Sequence, residues 1–260
     1  MGISRGIGAV RCAALVVLIC GCTGAGARAA ETVKLTASFQ PNLRGARTTI
    51  LFGFTVGTTD GSVPAGLSGI DLHLPSHMGL ATTSLGLATC EAPTLIAAGL
   101  NGCSTNARIG YGSAVVEVPL GPQLVVEHTG ISALLAPDED SHQRMLFYAN
   151  GITPVFAQLV FPAKLLPESG SVGGGINTTV PVVGVLPDGP NASVVKFSST
   201  IGPLHLTYYK RRHGKRVAFR PRGVKVPKAC PRGGYPFSAD FEFQDATVLS
   251  ARTHVPCPTR

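Results

Sequence analysis

The sequence predicts an all-β protein, an antiparallel β-sandwich with Greek-key, jelly-roll or Ig-like connections and one short helix near residues 93–99. Three observations carry this. Apolar and polar residues alternate with a period of two in one short run after another, the pattern of half-buried antiparallel strands. Glycine (32) and proline (20) are frequent enough to stop helices and make turns throughout the 260 residues. Only Pro93-Thr-Leu-Ile-Ala-Ala has the form of a helix, with proline in its first turn and Gly99 as its stop.

In chain order the alternating runs are 33–39, 50–56, 70–74, 114–118, 124–128, 155–161, 204–208 and 237–243. Phe52, Phe54 and Val56 fall on one face of the second run. Pro75, Pro119 and Pro162 are expected to close strands, since proline cannot donate to a ladder. Residues 169–175 (Ser-Gly-Ser-Val-Gly-Gly-Gly) read as a long loop. The hydrophobic share, 44%, is ample for a core. A single domain over 30–260 is the preferred division, and a two-part chain would separate at the polar turn 136–141.

Residues 1–29 read as a signal peptide. Arg5 and Arg11 precede an apolar run at 12–20, and Ala27-Arg28-Ala29 offers a cleavage site. The run is about half of the ~20 residues that span a bilayer, so no transmembrane helix is expected. Ile19-Cys20-Gly21-Cys22 admits a second reading, lipid anchoring through Cys22, but Cys20 is an unusual residue before such a site. Either way the protein is secreted or associated with the cell surface. Four cysteines then remain: Cys90, Cys103, Cys230 and Cys257. An even number in an exported chain favours disulfides. Three pairings exist, and locality favours Cys90–Cys103 with Cys230–Cys257. A zinc site lacks both C-x-x-C and a histidine at ligand spacing, so no metal is expected.

Two stretches carry a resemblance. One is Cys90-Glu-Ala-Pro-Thr-Leu, Gly102-Cys103-Ser and 107–114; the other is Cys230-Pro-Arg-Gly-Gly, 237–243 and Val255-Pro-Cys-Pro258. Both resemble segments of uncharacterised secreted β-rich proteins of high-GC Gram-positive bacteria, over about a third of the chain. The resemblance implies secretion and a β-rich fold, and it implies no activity.

Motifs for catalysis are missing. No G-x-S-x-G occurs. His73 and His77 stand four apart, but Pro75 between them breaks the helix that would aim both at one metal. Asp138-Glu139-Asp140 has the composition of a solvated turn and lacks the spacing of a calcium loop. Glu117, Glu127 and Glu168 are isolated in sequence, so no carboxylate pair is evident. Gly170–Gly175 lacks the Lys-Ser/Thr of a phosphate loop, and no cofactor is expected. With no tryptophan, a stacked sugar platform is disfavoured.

Charge placement is the one anomaly. The chain has 22 Lys and Arg against 14 Asp and Glu, a net charge of +8. Ten of the basic residues lie between Lys210 and Arg232, with no acid among them. The pattern predicts a hairpin turning near His213-Gly214, with Lys210, Arg211, Arg212, Lys215 and Arg216 at its exposed end as anion-binding candidates. Anionic cell-wall polymers are the expected partner class. Specific nucleic-acid recognition lacks the interleaved aromatics it needs. An edge hairpin charged against strand-to-strand aggregation would show the same composition. The expected function is therefore an exported, non-catalytic β-sandwich module, structural or weakly binding a polyanion or another ligand. The alternative is a secreted hydrolase whose site is assembled from scattered loop residues.

Overall fold

The computed structural model describes residues 29–78, 85–152, 156–168, 172–185, 187 and 189–258. The signal-peptide and Cys22 readings lie outside these residues. Among these residues fourteen strands follow one another: β1 Glu31–Gln40, β2 Arg47–Thr58, β3 Leu67–Pro75, β4 Arg108–Leu120, β5 Gln123–Glu139, β6 His142–Gly151 and β7 Ala157–Leu166. After them come β8 Val172–Thr179, β9 Ser193–Ile201, β10 Tyr208–Arg212, β11 Lys215–Phe219, β12 Val224–Lys225, β13 Tyr235–Phe243 and β14 Val248–Val255. The one α-helix among the described residues, α1, is Ala92–Ala98, with proline in its first turn and Gly99 as its cap at φ 57°.

Eleven strands form one hydrogen-bonded path, β1-β2-β9-β4-β5-β6-β7-β8-β3-β13-β14, and β12 adds to β2. Every pairing is antiparallel. The two edge strands, β1 and β14, lie side by side. The sheet thus curls on itself into a nearly closed, barrel-like sandwich, and the two layers are opposite halves of one sheet.

The strand alternation places one face of each strand inside. Phe237, Ala239, Phe241 and Phe243 of β13 are buried while Ser238, Asp240 and Glu242 face outward. Along β1, β2 and β13 the interior is filled by aromatic rings. Phe39 meets Tyr235 and Phe237 at 5.5 and 5.8 Å between centroids. Phe54 contacts Phe241 edge-on at 5.0 Å and stacks on Phe197 at 5.3 Å. Such pairs each add about 0.5–1.5 kcal/mol beyond area burial.

One patch of the outer face is covered. Leu134 and Leu146, on the outside of β5 and β6, are buried beneath α1, whose Leu95 is wholly enclosed among them and Tyr148. Cys90 and Cys103 flank that helix with Cα atoms 5.5 Å apart, and Cys230 and Cys257 lie 5.9 Å apart. Both are the local pairs expected, at disulfide distance.

Several details differ from the sequence expectations. Residues 204–207 are a turn, and the strand begins only at Tyr208. Pro119 and Pro162 lie inside β4 and β7. Pro162 is tolerated one residue beyond the last β7–β8 pair, Ala163 with Thr178, where no donor is required of it. The glycine-rich stretch is strand rather than loop from Val172 onward, and 169–171 lies outside the described residues. Its glycines are there for close approach: a Cβ on Gly173 would sit 2.8 Å from the Ser76 Cα, and one on Gly175 would sit 2.6 Å from a Glu168 oxygen. Strands β6, β8, β9 and β14 were not among the runs read from the sequence. The polar turn 136–141 is the β5–β6 hairpin, with Asp140 and Ser141 at positive φ, and the same sheet continues through it.

The hairpin of β10 and β11 stands apart as a two-stranded sheet fixed to the barrel by Tyr208. That ring is fully buried. Its hydroxyl accepts from the Gly86 N–H (2.8 Å) and donates to the Arg108 carbonyl (2.7 Å). Burial holds the phenol above its ordinary range, so it stays a donor. Tyr208→Phe strands both backbone groups, and chemical denaturation should show a loss of about 1–3 kcal/mol.

Candidate functional site

Three places in the fold bring functional groups together. The first is the basic hairpin. Its register is Tyr208 with Phe219, Tyr209 with Ala218, Lys210 with Val217, Arg211 with Arg216 and Arg212 with Lys215. His213 and Gly214 make the two-residue turn, both at positive φ (50° and 77°), which matches the strand twist. All five predicted cations are exposed. They divide between two faces. Lys210, Arg212 and Lys215 share one face, and Arg211 and Arg216 share the other with Tyr209. Lys210 lies 5.0 Å from the Phe219 ring centroid and Arg216 lies 3.8 Å from that of Tyr209, both cation–π contacts. Among the described residues, the ion pairs join His73, Arg144 and Lys164 to carboxylates and involve none of the five.

The second is the barrel interior. Between the walls formed by β2 to β9 lies a cavity of about 470 Å³, lined almost wholly by apolar side chains. Phe52, Phe147, Phe161 and Phe197 all line it and are only partly buried, because they face empty space. A few polar groups reach the wall, among them Glu127, Thr129 and Ser199. Glu127 is 3% exposed and points inward from β5. The exposed lining residues, Leu120 and Gly184, both lie at the end of the barrel opposite the basic hairpin, so the cavity opens there. Strand ends and connections at this same end carry Leu124, Ile152, Phe156, Val182 and Val248, each at least 50% exposed. Sequence reasoning missed this cavity. Its lining is ordinary inward-facing strand residue, with no motif to mark it.

The third is a polar row on the outer face. Asn177 of β8, Asp71 of β3, Asp240 of β13 and Ser250 of β14 stand directly opposite one another across four strands. The Asn177 amide donates to Asp71, and the Ser250 hydroxyl donates to Asp240. Beside the row, His73 Nδ1 lies 2.9 Å from Glu168 and Nε2 lies 3.4 Å from Asp240. Histidine, carboxylate and serine are thus assembled from distant positions, as a scattered hydrolytic site would be. Their order is different, however. Both imidazole nitrogens face carboxylates, and the serine bonds the acid instead of the base. A general base needs a nitrogen aimed at the nucleophile's proton. This arrangement clasps β3, β13 and the end of β7 together. In the acidic turn, Glu139 pairs with Arg144 (3.1 Å) and Lys164 (3.2 Å). His77 lies at positive φ in the turn after β3 and takes no part in the hydrogen bonds of this clasp.

No protein-family model, no curated protein and no solved structure matches this chain. No helix among the described residues is long and apolar enough to cross a membrane.

The clasp is pH-sensitive. Burial disfavours the imidazolium, but the hydrogen bonds and charges of Glu168 and Asp240 outweigh it and raise the His73 pKa above 6.5. A raised folded-state pKa contributes stability in full below the unfolded value and loses it as pH rises through the folded one. The melting-temperature difference between native protein and His73→Gln should therefore be largest below about pH 6 and shrink towards pH 9.

Proposed function

We propose that the chain is an exported, non-catalytic binding module that holds an apolar, lipid-like ligand inside its barrel. One observation carries the reading: the cavity of about 470 Å³, apolar on nearly every side and open at one end. Ligand sites in proteins are typically about 300–1,000 Å³, mostly apolar, with a few polar groups that set orientation. At roughly 30 Å³ per water-sized group, the space suits on the order of fifteen heavy atoms, the bulk of a medium-length acyl chain. Empty apolar volume is costly, at about 24 cal/mol per Å³ in engineered cavities, so an occupant would stabilise the fold. Exposed leucine, isoleucine, phenylalanine and valine at the mouth give such a ligand an apolar approach. Two disulfide pairs suit an oxidising compartment outside the cytoplasm, at the cell surface or beyond it.

A second reading rests on the hairpin. Five exposed cations, none of them ion-paired to a carboxylate among the described residues, favour weak, salt-sensitive attachment to anionic cell-wall polymers. The two readings are compatible, because the hairpin and the mouth are at opposite ends of the barrel.

Fluorescence titration with the neutral probe N-phenyl-1-naphthylamine tests the first reading. The native protein should bind one equivalent saturably. Ala149→Phe, which points a ring into the cavity from β6, should weaken binding at least about tenfold. Its melting temperature should not fall, since the ring enters empty space, whereas overpacking costs about 1–3 kcal/mol. Absence of saturable binding, or equal binding by the variant, overturns the reading.

A further inference from the structure

The two faces of the basic hairpin are not equivalent. Asn106, in the 3₁₀ turn Thr105–Ala107, grips the backbone of Tyr209 from both sides: its amide donates to the Tyr209 carbonyl (2.6 Å) and its oxygen accepts from the Tyr209 N–H (2.8 Å). Both backbone groups of Tyr209 therefore point away from β11, and Tyr209·Ala218 is a non-hydrogen-bonded pair. Pairs alternate along an antiparallel ladder, so Arg211·Arg216 is another, with side chains at the narrower spacing. Like charges directly opposite each other destabilise a hairpin. Here the pair stands on the face turned towards Ser104 and Thr105, across a cleft of about 350 Å³ that both arginines line. Arg216 is held in place by the Tyr209 ring beneath it. The Ser104 hydroxyl accepts from the Asn106 N–H (3.2 Å), which leaves its own proton to donate into the cleft.

We propose that this cleft is a binding site for one tetrahedral oxyanion, a phosphate or sulfate group, held by Arg211 and Arg216 with the hydroxyls of Ser104 and Thr105. The proposal rests on the polyanion reading of the hairpin and narrows it from a charged surface to one pocket. Guanidinium forks match the oxygens of such a group two at a time, which a lysine ammonium does not do. An anion between the two arginines converts their mutual repulsion into shared attraction. The carboxylate that would otherwise neutralise them is absent from the cleft lining, which is uncharged apart from hairpin cations. Lys210, at the edge of the lining, adds long-range attraction. Arg212 and Lys215, on the opposite face, take no part. The group bound belongs either to a free ion or to an ester on a polymer, and the chemistry recognised is the same.

Calorimetric titration with inorganic phosphate, and separately with sulfate, at constant ionic strength balanced by chloride tests this. Native protein should bind one ion saturably. Arg211→Gln and Arg216→Gln should each weaken binding at least tenfold, and Arg216→Lys should weaken it as well because the fork is lost. Arg212→Gln and Lys215→Gln should change it less than threefold. All these side chains are exposed, so unchanged melting curves will show that the variants fold. No saturable binding of either ion, or equal losses on both faces, overturns the pocket. Retention on carboxymethyl cellulose across a salt series separates this from the broader reading. If ion binding fails while retention still depends on all five cations, the charged-surface reading stands and the pocket falls. If retention is also insensitive to the five, both fall. Saturable ion binding by native protein, combined with competition by a phosphate-free anionic polymer no better than salt, would identify an ester group as the feature recognised.

Discussion

Closure of the sheet is the constraint on which everything else depends. A β-barrel of about eight strands encloses just enough space for its inward side chains to fill. Here eleven strands run in one hydrogen-bonded path, and the edges β1 and β14 meet. The circumference is thus larger than the inward side chains can fill everywhere. Where β1, β2 and β13 come together, Phe39, Phe54, Tyr235, Phe237 and Phe241 pack on one another and fill the interior. Among β2 to β9 the walls stand apart and the cavity remains. Phe54, packed on Phe241 to one side and on Phe197 to the other, marks the boundary between the filled part and the hollow part.

The same closure decides what can happen on the outside. A nearly closed sheet leaves few edges to pair with other chains, so surface strands can carry polar side chains without that hazard. Two attachments decorate it. α1 covers the apolar patch of Leu134 and Leu146 and is flanked by the Cys90–Cys103 pair. The basic hairpin is tied down by Tyr208 inside and Asn106 outside. Because the 3₁₀ turn that carries Asn106 starts two residues after Cys103, one short segment organises both attachments. The hairpin would be a marginal two-stranded ribbon alone. Its strongly charged tip is possible because its base is anchored.

The outer face of β8, β3, β13 and β14 shows how a chemically suggestive set of residues can be structural. Asp71 and Asp240 are directly opposite, an unfavourable pair taken by itself. Asn177 and Ser250 each donate to one of them, and His73 Nε2 lies beside Asp240. Glu168 completes the compensation from the end of β7. Its sequence isolation conceals this role, because its partner is 95 residues away.

What the sequence determined by itself was whatever depends on neighbours along the chain. Period-two alternation marked β1, β2, β3 and β13, since a strand's faces follow from its own pleat. Pro93 and Gly99 bounded the helix, and His213-Gly214 located the hairpin turn through its need for positive φ. The short separations within Cys90–Cys103 and Cys230–Cys257 marked the pairs that stand at disulfide distance. Strands β8 and β9 were obscured because glycine and serine there serve close contact between strands, a requirement set by the partner strand. Only tertiary structure decided which strands pair, and with them the closure, the cavity, the partners of His73 and the narrow spacing of Arg211 and Arg216. Each of these is a register between segments far apart in sequence, and local alternation is the same for every register that keeps the same face inside.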